Sequence, residues 1–140
     1  MTNFTFISLT VCLFAVAACS APVGEVSPAY DGIEPDEVIS LGGDEPFWDI
    51  KIEGDQLTYT TPENIEGLRT TAERFAGNGG LSFSGTLESE LLTALVTPGE
   101  CDDGMSDRTY PFTATVQIGD QALQGCGYTD KQPFTGEEHP

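Results

Sequence analysis

The side chains best suited to chemistry lie close together in one segment towards the C-terminal end of the chain. That segment is Cys101-Asp102-Asp103-Gly104-Met105-Ser106-Asp107-Arg108-Thr109-Tyr110-Pro111. Carboxylates in a loop can bind Ca²⁺, and a serine can act as a nucleophile beside a base. Met, Arg and Tyr side chains often anchor protein contacts. The residue types therefore fit a metal site, a catalytic site or a recognition loop.

Catalysis is the weakest of these three interpretations. The only histidine of the chain, His139, is the penultimate residue, which leaves Ser106 without a neighbouring imidazole base. The two lysines, Lys51 and Lys131, lie far from Ser106 in the sequence. No pair among the abundant carboxylates is marked as an acid and a base. The sequence predicts no enzyme activity, no catalytic residue and no cofactor.

A calcium site is kept as an alternative. Asp102, Asp103 and Asp107 do not follow the Asp-x-Asp-x-Asp-Gly spacing of an EF-hand loop. Aspartate side chains in turns commonly accept hydrogen bonds from nearby backbone N–H groups. We therefore expect a turn of this kind and no metal ligands, with a Ca²⁺-binding surface domain as the alternative.

The remaining interpretation is a recognition loop between Asp103 and Tyr110. Its candidate contact residues are Asp103, Met105, Ser106, Asp107, Arg108 and Tyr110. A disulfide at Cys101 would fix the loop and lower the entropy lost on binding. In the alternative interpretation the loop packs on its own domain, with Tyr110 in the core and Arg108 paired with a neighbouring aspartate.

A second segment of interest opens the first clear strand. It is Gly43-Asp44-Glu45-Pro46-Phe47-Trp48. Phe47 and Trp48 are candidate aromatic contacts for a ligand. Trp48 is the single tryptophan of the chain, and its place at the start of a strand also favours a role in filling one end of the core.

The elements that position these segments are predicted to be strands. Trp48, Ile50 and Ile52 alternate with charged residues, and residues 81–87 and 112–118 alternate similarly, which is typical of strands. The pattern predicts an all-β fold, a small antiparallel barrel or sandwich of about seven or eight strands. Residues 69–75 are interpreted as one of these strands. Residues 87–97 contain leucines at helical spacing, but the short segment lies among strands, and a strand is favoured.

The first eighteen residues predict export. Residues 4–18 contain no charged side chain and have the length of a signal-peptide hydrophobic region. The segment Val16-Ala17-Ala18-Cys19 resembles the lipobox of bacterial lipoproteins, which implies cleavage before Cys19 and lipid, including palmitate, on that cysteine. Ser20 is similar to the residue that follows the cysteine in outer-membrane lipoproteins. An ordinary cleaved signal or a short anchor helix is the alternative.

Two further cysteines, Cys101 and Cys126, remain in the exported chain. An oxidising envelope compartment favours a disulfide between them. It would close a loop of about 26 residues and stabilise the domain by roughly 3–4 kcal/mol. A redox pair or a zinc site is a weaker interpretation, because neither the Cys-x-x-Cys spacing nor further ligands are present.

The exported chain divides into three parts by composition. Residues 19–37 are rich in proline and acidic residues, which predicts an extended, lipidated tether. Residues 38–128 form the predicted domain. Residues 129–140 are expected to be a flexible tail.

The two segments together resemble a family of uncharacterised bacterial envelope lipoproteins. The shared motifs are Gly-x-Glu-Pro-Phe-Trp, at residues 43–48, and Cys-x-Asp-Gly-Met-Ser-Asp-x-x-Tyr-Pro, at residues 101–111. In layout the family is similar to the small β-barrel lipoproteins of the META-domain and lysozyme-inhibitor types. The resemblance implies a lipid-anchored domain that faces the periplasm, on the outer membrane, and no particular activity.

The charge of the chain narrows the class of partner. There are 23 acidic and 5 basic residues, a formal charge of −18, which argues against nucleic-acid binding. We expect a non-enzymatic binding or accessory module whose protein partner, if it has one, is basic. The segment Ser106–Tyr110 loosely resembles the loop by which lysozyme inhibitors enter the enzyme cleft. Inhibition of a basic lysozyme through Asp103–Tyr110 is therefore the alternative function.

Overall fold

The computed structural model describes residues 27–137. The predicted signal peptide, the lipidation site Cys19 and the histidine His139 lie outside the described residues. Within the described part the chain forms nine strands and no helix. They are β1 Ile39–Asp44, β2 Phe47–Glu53, β3 Gln56–Thr61, β4 Asn64–Thr71, β5 Glu73–Ala76, β6 Leu81–Leu87, β7 Glu90–Asp102, β8 Thr109–Ile118 and β9 Gln121–Thr129. A search of the same residues for a helix able to span a membrane finds none.

All nine strands pair antiparallel in one sheet, in the order β4-β3-β2-β1-β9-β8-β7-β6-β5. The sheet curls into a nearly closed barrel because its two ends approach each other. A Cβ atom at Gly85 of β6 would lie only 2.8 Å from the carbonyl oxygen of Thr71 at the end of β4. The predicted all-β class with one Cys101–Cys126 disulfide is confirmed, with slightly more strands than expected.

The barrel interior is filled by the alternate residues that the sequence pattern points to. Trp48, Ile50 and Ile52 are each at most 2% exposed, while the charged residues between them face outward. Gly43 and Gly125 leave room for the indole of Trp48: a Cβ atom would lie 2.4 Å from the indole nitrogen at Gly43 and 3.0 Å from the ring at Gly125. Trp48 therefore fills the core, as one of its two interpretations predicted.

The segment with helical leucine spacing is a strand, as favoured. In β7 Leu92 and Val96 face the core, whereas Leu91 and Leu95 face outward. The helical pattern arises because the β6–β7 turn interrupts the alternation after Leu87. The two residues of that turn, Glu88 and Ser89, both have positive φ values, 48° and 78°, the conformation of a tight hairpin turn that glycine and asparagine usually occupy.

The interpretation of residues 69–75 as one strand is wrong. These residues belong to β4 and β5, which lie at opposite ends of the sheet order. Between them Ala72 is buried, and its N–H donates a 2.8 Å hydrogen bond to the carbonyl of Asp55. The chain stops pairing with β3 at this point. It crosses the gap between the two edges of the sheet, and β5 then pairs with β6.

The expected tether and tail are partly folded onto the barrel. Residues 30–38, the N-terminal clasp, place Ile33 in the core with 1% exposure, and Arg74 donates a 2.8 Å hydrogen bond to its carbonyl. After β9, Thr135 exchanges two backbone hydrogen bonds with Thr109. The folded unit thus extends beyond the predicted boundaries at 38 and 128, because single apolar residues on both sides find places on the barrel.

Glu37 ties the N-terminal clasp to the end of β9. Its buried carboxylate accepts hydrogen bonds from the Thr129 hydroxyl, from the Gln132 amide at 3.3 Å and from the Glu34 backbone N–H at 2.9 Å. Burial disfavours the charged form, but these hydrogen bonds and the nearby Lys131 outweigh it and lower the pKa of Glu37. From the sequence alone, the Glu37 carboxylate is expected to be exposed to solvent in the tether.

Candidate functional site

The two sequence motifs meet at one groove on the outer face of the barrel, which we call the motif groove. Its volume is about 330 Å³. The floor is formed by β1, β2 and β9, and the Asp103–Tyr110 loop forms one wall. The charged and aromatic residues that line it are Asp44, Phe47, Trp48, Asp49, Lys51, Asp103, Arg108, Tyr110, Tyr128 and Phe134. The groove thus joins residues that are about 60 positions apart in the sequence.

Strand pairing places the first motif on the groove floor. The β1–β2 hairpin turns at Glu45-Pro46 through a cis peptide bond. Asp49 lies opposite Gly42 in the register, and a Cβ atom on Gly42 would come within 2.9 Å of the Asp49 carboxylate. Phe47 faces outward on the same hairpin, with 52% of its surface exposed. An aromatic ring and a carboxylate therefore stand side by side above the sheet.

The disulfide and a network around Asp103 hold the second motif against β9. Cys101 is joined to Cys126, which lies on the outer face of β9 yet is only 5% exposed. One carboxylate oxygen of Asp103 accepts hydrogen bonds from the backbone N–H groups of Met105 and Ser106, at 3.0 and 2.9 Å. The other accepts from the Ser106 hydroxyl at 2.7 Å and the Tyr110 hydroxyl at 3.2 Å.

This network explains the charge state of Asp103. Partial burial raises the pKa of its carboxyl, but the four hydrogen bonds together outweigh burial and lower the pKa to about 2. Asp102 forms a similar turn, accepting a 2.7 Å hydrogen bond from the Gly104 N–H, and Gly104 has the positive φ, 72°, that this turn requires. The expected aspartate turn is therefore present.

Three aromatic rings from separate segments pack at the groove wall. Phe134 lies 5.3 Å from the ring of Tyr110 and 5.1 Å from that of Tyr128, centroid to centroid. The guanidinium of Arg108 sits 4.3 Å above the Phe134 ring, a cation–π contact. Tyr110 and Arg108 thus pack against their own domain, and the C-terminal segment helps to build the wall.

Two carboxylates of the motif groove have no bonded partner among the described residues to offset their negative charge. In the part of the chain that the structure describes, Asp44 and Asp49 accept no side-chain hydrogen bond and form no ion pair. Desolvation raises the pKa of both, and repulsion from Asp103, Asp49 and Glu45 raises that of Asp44 further. The nearest lysine, Lys51, instead pairs with Glu53 at 3.1 Å. The groove therefore presents negative potential to solvent.

No protein-family model, curated protein or solved structure matches this chain significantly. The assignment of a function therefore depends on the geometry of the groove. That geometry contains charges, aromatic rings and a shaped cavity, but within residues 27–137 it contains no group of three or more side chains placed to bind a metal ion. Both oxygens of Asp103, the aspartate at the centre of the loop, are occupied by hydrogen bonds.

The structure separates the predicted site residues into two groups. Phe47, Asp103, Arg108 and Tyr110 line the motif groove, and Trp48 lies beneath its floor. Met105, 63% exposed, projects from the tip of the loop, Asp107 is also exposed, and Ser106 is half-buried by its bond to Asp103.

Five charged or aromatic groove residues were missed by sequence reasoning: Asp44, Asp49, Lys51, Tyr128 and Phe134. Asp44 and Asp49 lie inside and next to the first motif, so their position was a usable signal. Tyr128 and Phe134 carried none, because the sequence placed them at the end of the domain and in the expected tail. Their role depends on where β9 ends and on how the chain then folds back towards Thr109.

Proposed function

We propose that this protein is a non-enzymatic, lipid-anchored binding module of the bacterial envelope, and that the motif groove binds a basic partner protein. The observation that carries the proposal is that both motifs contribute to one groove in which Asp44 and Asp49 are uncompensated. A carboxylate whose pKa is raised by neighbouring carboxylates is stabilised when a positive charge arrives. The groove therefore favours a lysine or arginine side chain.

The aromatic surface of the groove supports the same ligand class. Phe47 exposes half of its surface beside Asp49, and Tyr128 and Phe134 line the opposite side. Aromatic faces attract ammonium and guanidinium groups and also cover their alkyl stems. Arg108 already occupies the face of Phe134 in this way, which leaves Phe47 as the exposed ring for a ligand cation.

The loop alternative uses the same residues differently. Inhibition of a lysozyme through Asp103–Tyr110 needs Ser106, Arg108 and Tyr110 to reach outward into an enzyme cleft. Ser106 and Tyr110 instead bond to Asp103, and Arg108 stacks on Phe134. We therefore propose the groove, and not the loop tip, as the contact surface. The calcium alternative has no supporting cluster among residues 27–137.

The anchor part of the proposal rests on the lipobox resemblance at Cys19. Ten residues lie between Cys19 and Tyr30, whose backbone N–H donates a hydrogen bond to the carbonyl of Gly77 on the barrel. A chain of that length reaches at most about 40 Å when fully extended. The barrel would therefore stay close to the membrane, on the periplasmic side of the outer membrane. Mass spectrometry of the mature N-terminus tests this directly, and an unmodified first residue other than Cys19 would contradict it.

The binding proposal is tested with a basic c-type lysozyme and a lysine-rich peptide as probes. The chain, expressed with its own leader and purified from membranes in detergent, is titrated with each probe by calorimetry. The Asp44→Asn/Asp49→Asn variant should bind about tenfold more weakly, a loss of about 1.4 kcal/mol. The matched control, Asp55→Asn/Asp120→Asn, removes the same charge from two exposed hairpin turns.

Its outcomes separate a groove from general acidity. A control double variant that binds as well as the original chain supports the groove. Equal weakening by both double variants would show that only the net charge matters, and would overturn the groove assignment. If neither probe binds saturably, the proposal of a basic partner protein is overturned. A parallel lysis assay with Ser106→Ala/Arg108→Ala protein reports separately on the loop alternative.

A further inference from the structure

The outer face of β6, β7, β8 and β9 is almost free of charge, although the chain carries −18. β6, β8 and β9 contain no Asp, Glu, Lys or Arg, and the three acidic residues of β7, Glu90, Glu100 and Asp102, lie at its two ends. We call this surface, together with the exposed Phe75 of the edge strand β5, the neutral face. It adjoins the motif groove at β9, which pairs with β1, and extends from there to the other edge of the sheet.

Strand register shows that the neutral face is continuous. One row across the sheet runs from Phe75 through Ser82, Leu95 and Thr115 to Gln124. The adjacent row passes through Thr93 of β7, the middle strand of the five. Hydroxyl, amide and aliphatic side chains therefore cover β6 to β9, and Phe75 extends this surface onto β5. Charged side chains occur at the rim, where Glu73 of β5 begins the second row.

Half of the exposed large hydrophobic side chains of the described residues lie on this face. Among residues 27–137 six are exposed, and three of these, Phe75, Leu91 and Leu95, belong to the neutral face, with 66%, 66% and 43% exposure. Phe75 and Leu95 border a hollow of about 230 Å³ beside the Gly77–Gly80 turn. Exposed apolar area of this kind marks contact surfaces.

We propose that the neutral face is the contact surface for a second copy of this chain. A twofold dimer places one patch against the same patch, so a patch that carries mainly acidic side chains meets acidic side chains of the second copy. On a strongly acidic chain such contacts are repulsive nearly everywhere. The neutral face is the broad sheet surface in the described structure that can meet itself without this repulsion.

The size of the face sets the strength of the contact. Five strands spaced about 4.8 Å apart, over about seven residues at 3.4 Å each, cover at most about 600 Å² per copy. That is near the lower end for specific complexes. The dimer is therefore weak and reversible, and it forms where copies are concentrated on a membrane.

Cysteine cross-linking in the envelope tests the contact. Thr93→Cys places a thiol at the centre of the neutral face, and Thr58→Cys places one on the outer face of β3. The two threonines are matched, since both are half-buried and both face outward from a strand that is paired on its two sides. Under mild oxidation the Thr93→Cys chain should form a covalent dimer, and the Thr58→Cys chain should stay at background.

The second part of the experiment introduces a charge on the neutral face. Leu95→Glu in the Thr93→Cys chain should lower the yield of dimer roughly tenfold, because like charges would meet across the twofold axis. Leu95→Thr should retain most of it, and a thermal melt confirms that both variants fold. Equal yields from Thr93→Cys and Thr58→Cys, no effect of Leu95→Glu, or cross-links only to a different protein would overturn the proposal.

Discussion

The two sides of the barrel share the same kind of apolar core but differ in their outer surfaces. In β2 the outward residues are Phe47, Asp49, Lys51 and Glu53, whereas in β8 they are threonines and a glutamine. The inward residues of both strands are equally apolar and equally buried. The core pattern therefore determines the fold on both sides, while the outward pattern distinguishes a charged groove from a neutral face.

Glycines allow close backbone packing on both sides, and on the groove side they also make room for the largest side chain of the core. On the groove side, Gly43 and Gly125 accommodate Trp48, and Gly127 lies under Leu41. These glycines are needed because a large ring and two strands share one space. The comparison therefore predicts that substitutions on the groove side have large costs, and that the neutral side contains a turn that can be improved.

The largest effect is expected at Gly125. In Gly125→Ala the new Cβ atom would lie 1.9 Å from the carbonyl oxygen of Gly42, so that two paired strands must separate. We expect a loss of about 3 kcal/mol in the free energy of unfolding, measured by chemical denaturation. Gly79→Ala is the control, since a Cβ atom there meets nothing within 4 Å. Similar losses in both variants would contradict the tight packing of the groove side.

An intermediate effect is expected at Asp103. Asp103→Asn should lower the free energy of unfolding at pH 7 by about 2 kcal/mol, because hydrogen bonds to a charged acceptor are lost. Asp107→Asn, at an exposed aspartate of the same loop, should change it little. A loss as large at Asp107 would show that loop charge, and not the hydrogen-bond network, is responsible.

The pH dependence of this difference has a defined sign. The pKa of Asp103 is lowered from its ordinary value of 3.8 to about 2 in the folded protein. The stabilisation is therefore complete above pH 3.8 and is lost as the pH falls towards 2. The gap between the original chain and Asp103→Asn should close over that range, and a gap that is constant with pH would contradict the assignment.

The smallest effect is expected at the β6–β7 turn of the neutral side. Glu88→Asn/Ser89→Gly introduces residues that adopt positive φ more readily, and should stabilise the protein by about 1 kcal/mol. Thermal unfolding should then shift upward by roughly 5 °C. Glu88→Gln/Ser89→Ala removes the same charge without relieving the backbone and should give no gain. A gain in this control would assign the effect to charge.

The alternation of apolar residues was sufficient to predict the barrel class and most strands. The alternation did not predict two places where the chain changes direction. Ala72 separates β4 from β5, and Glu88-Ser89 forms a turn without the usual glycine or asparagine. Ile33 and Phe134 were missed because an isolated apolar residue in a polar segment has no periodicity. Their burial depends on cavities and rings supplied by distant strands.

The groove could be predicted only in part. Cysteine counting joined the second motif to Cys126, which was correct. The position of the first motif beside it depends on the β1–β9 pairing of Gly42 with Cys126, which is a contact between residues 84 positions apart. Local patterns cannot specify such a pairing, because many registers of alternating strands bury the same residues.

The N-terminal clasp also determines how a mechanical load would enter the molecule. A pull on the residues before Tyr30 acts first on the Tyr30–Gly77 backbone hydrogen bond, then on the buried Ile33, and then on the hydrogen bonds of Glu37. The sheet would bear no tension until this attachment opens. We therefore expect the N-terminal clasp to detach before the strands of the barrel separate. Its residues, about nine in number, would then add to the length of the tether between the membrane and the barrel.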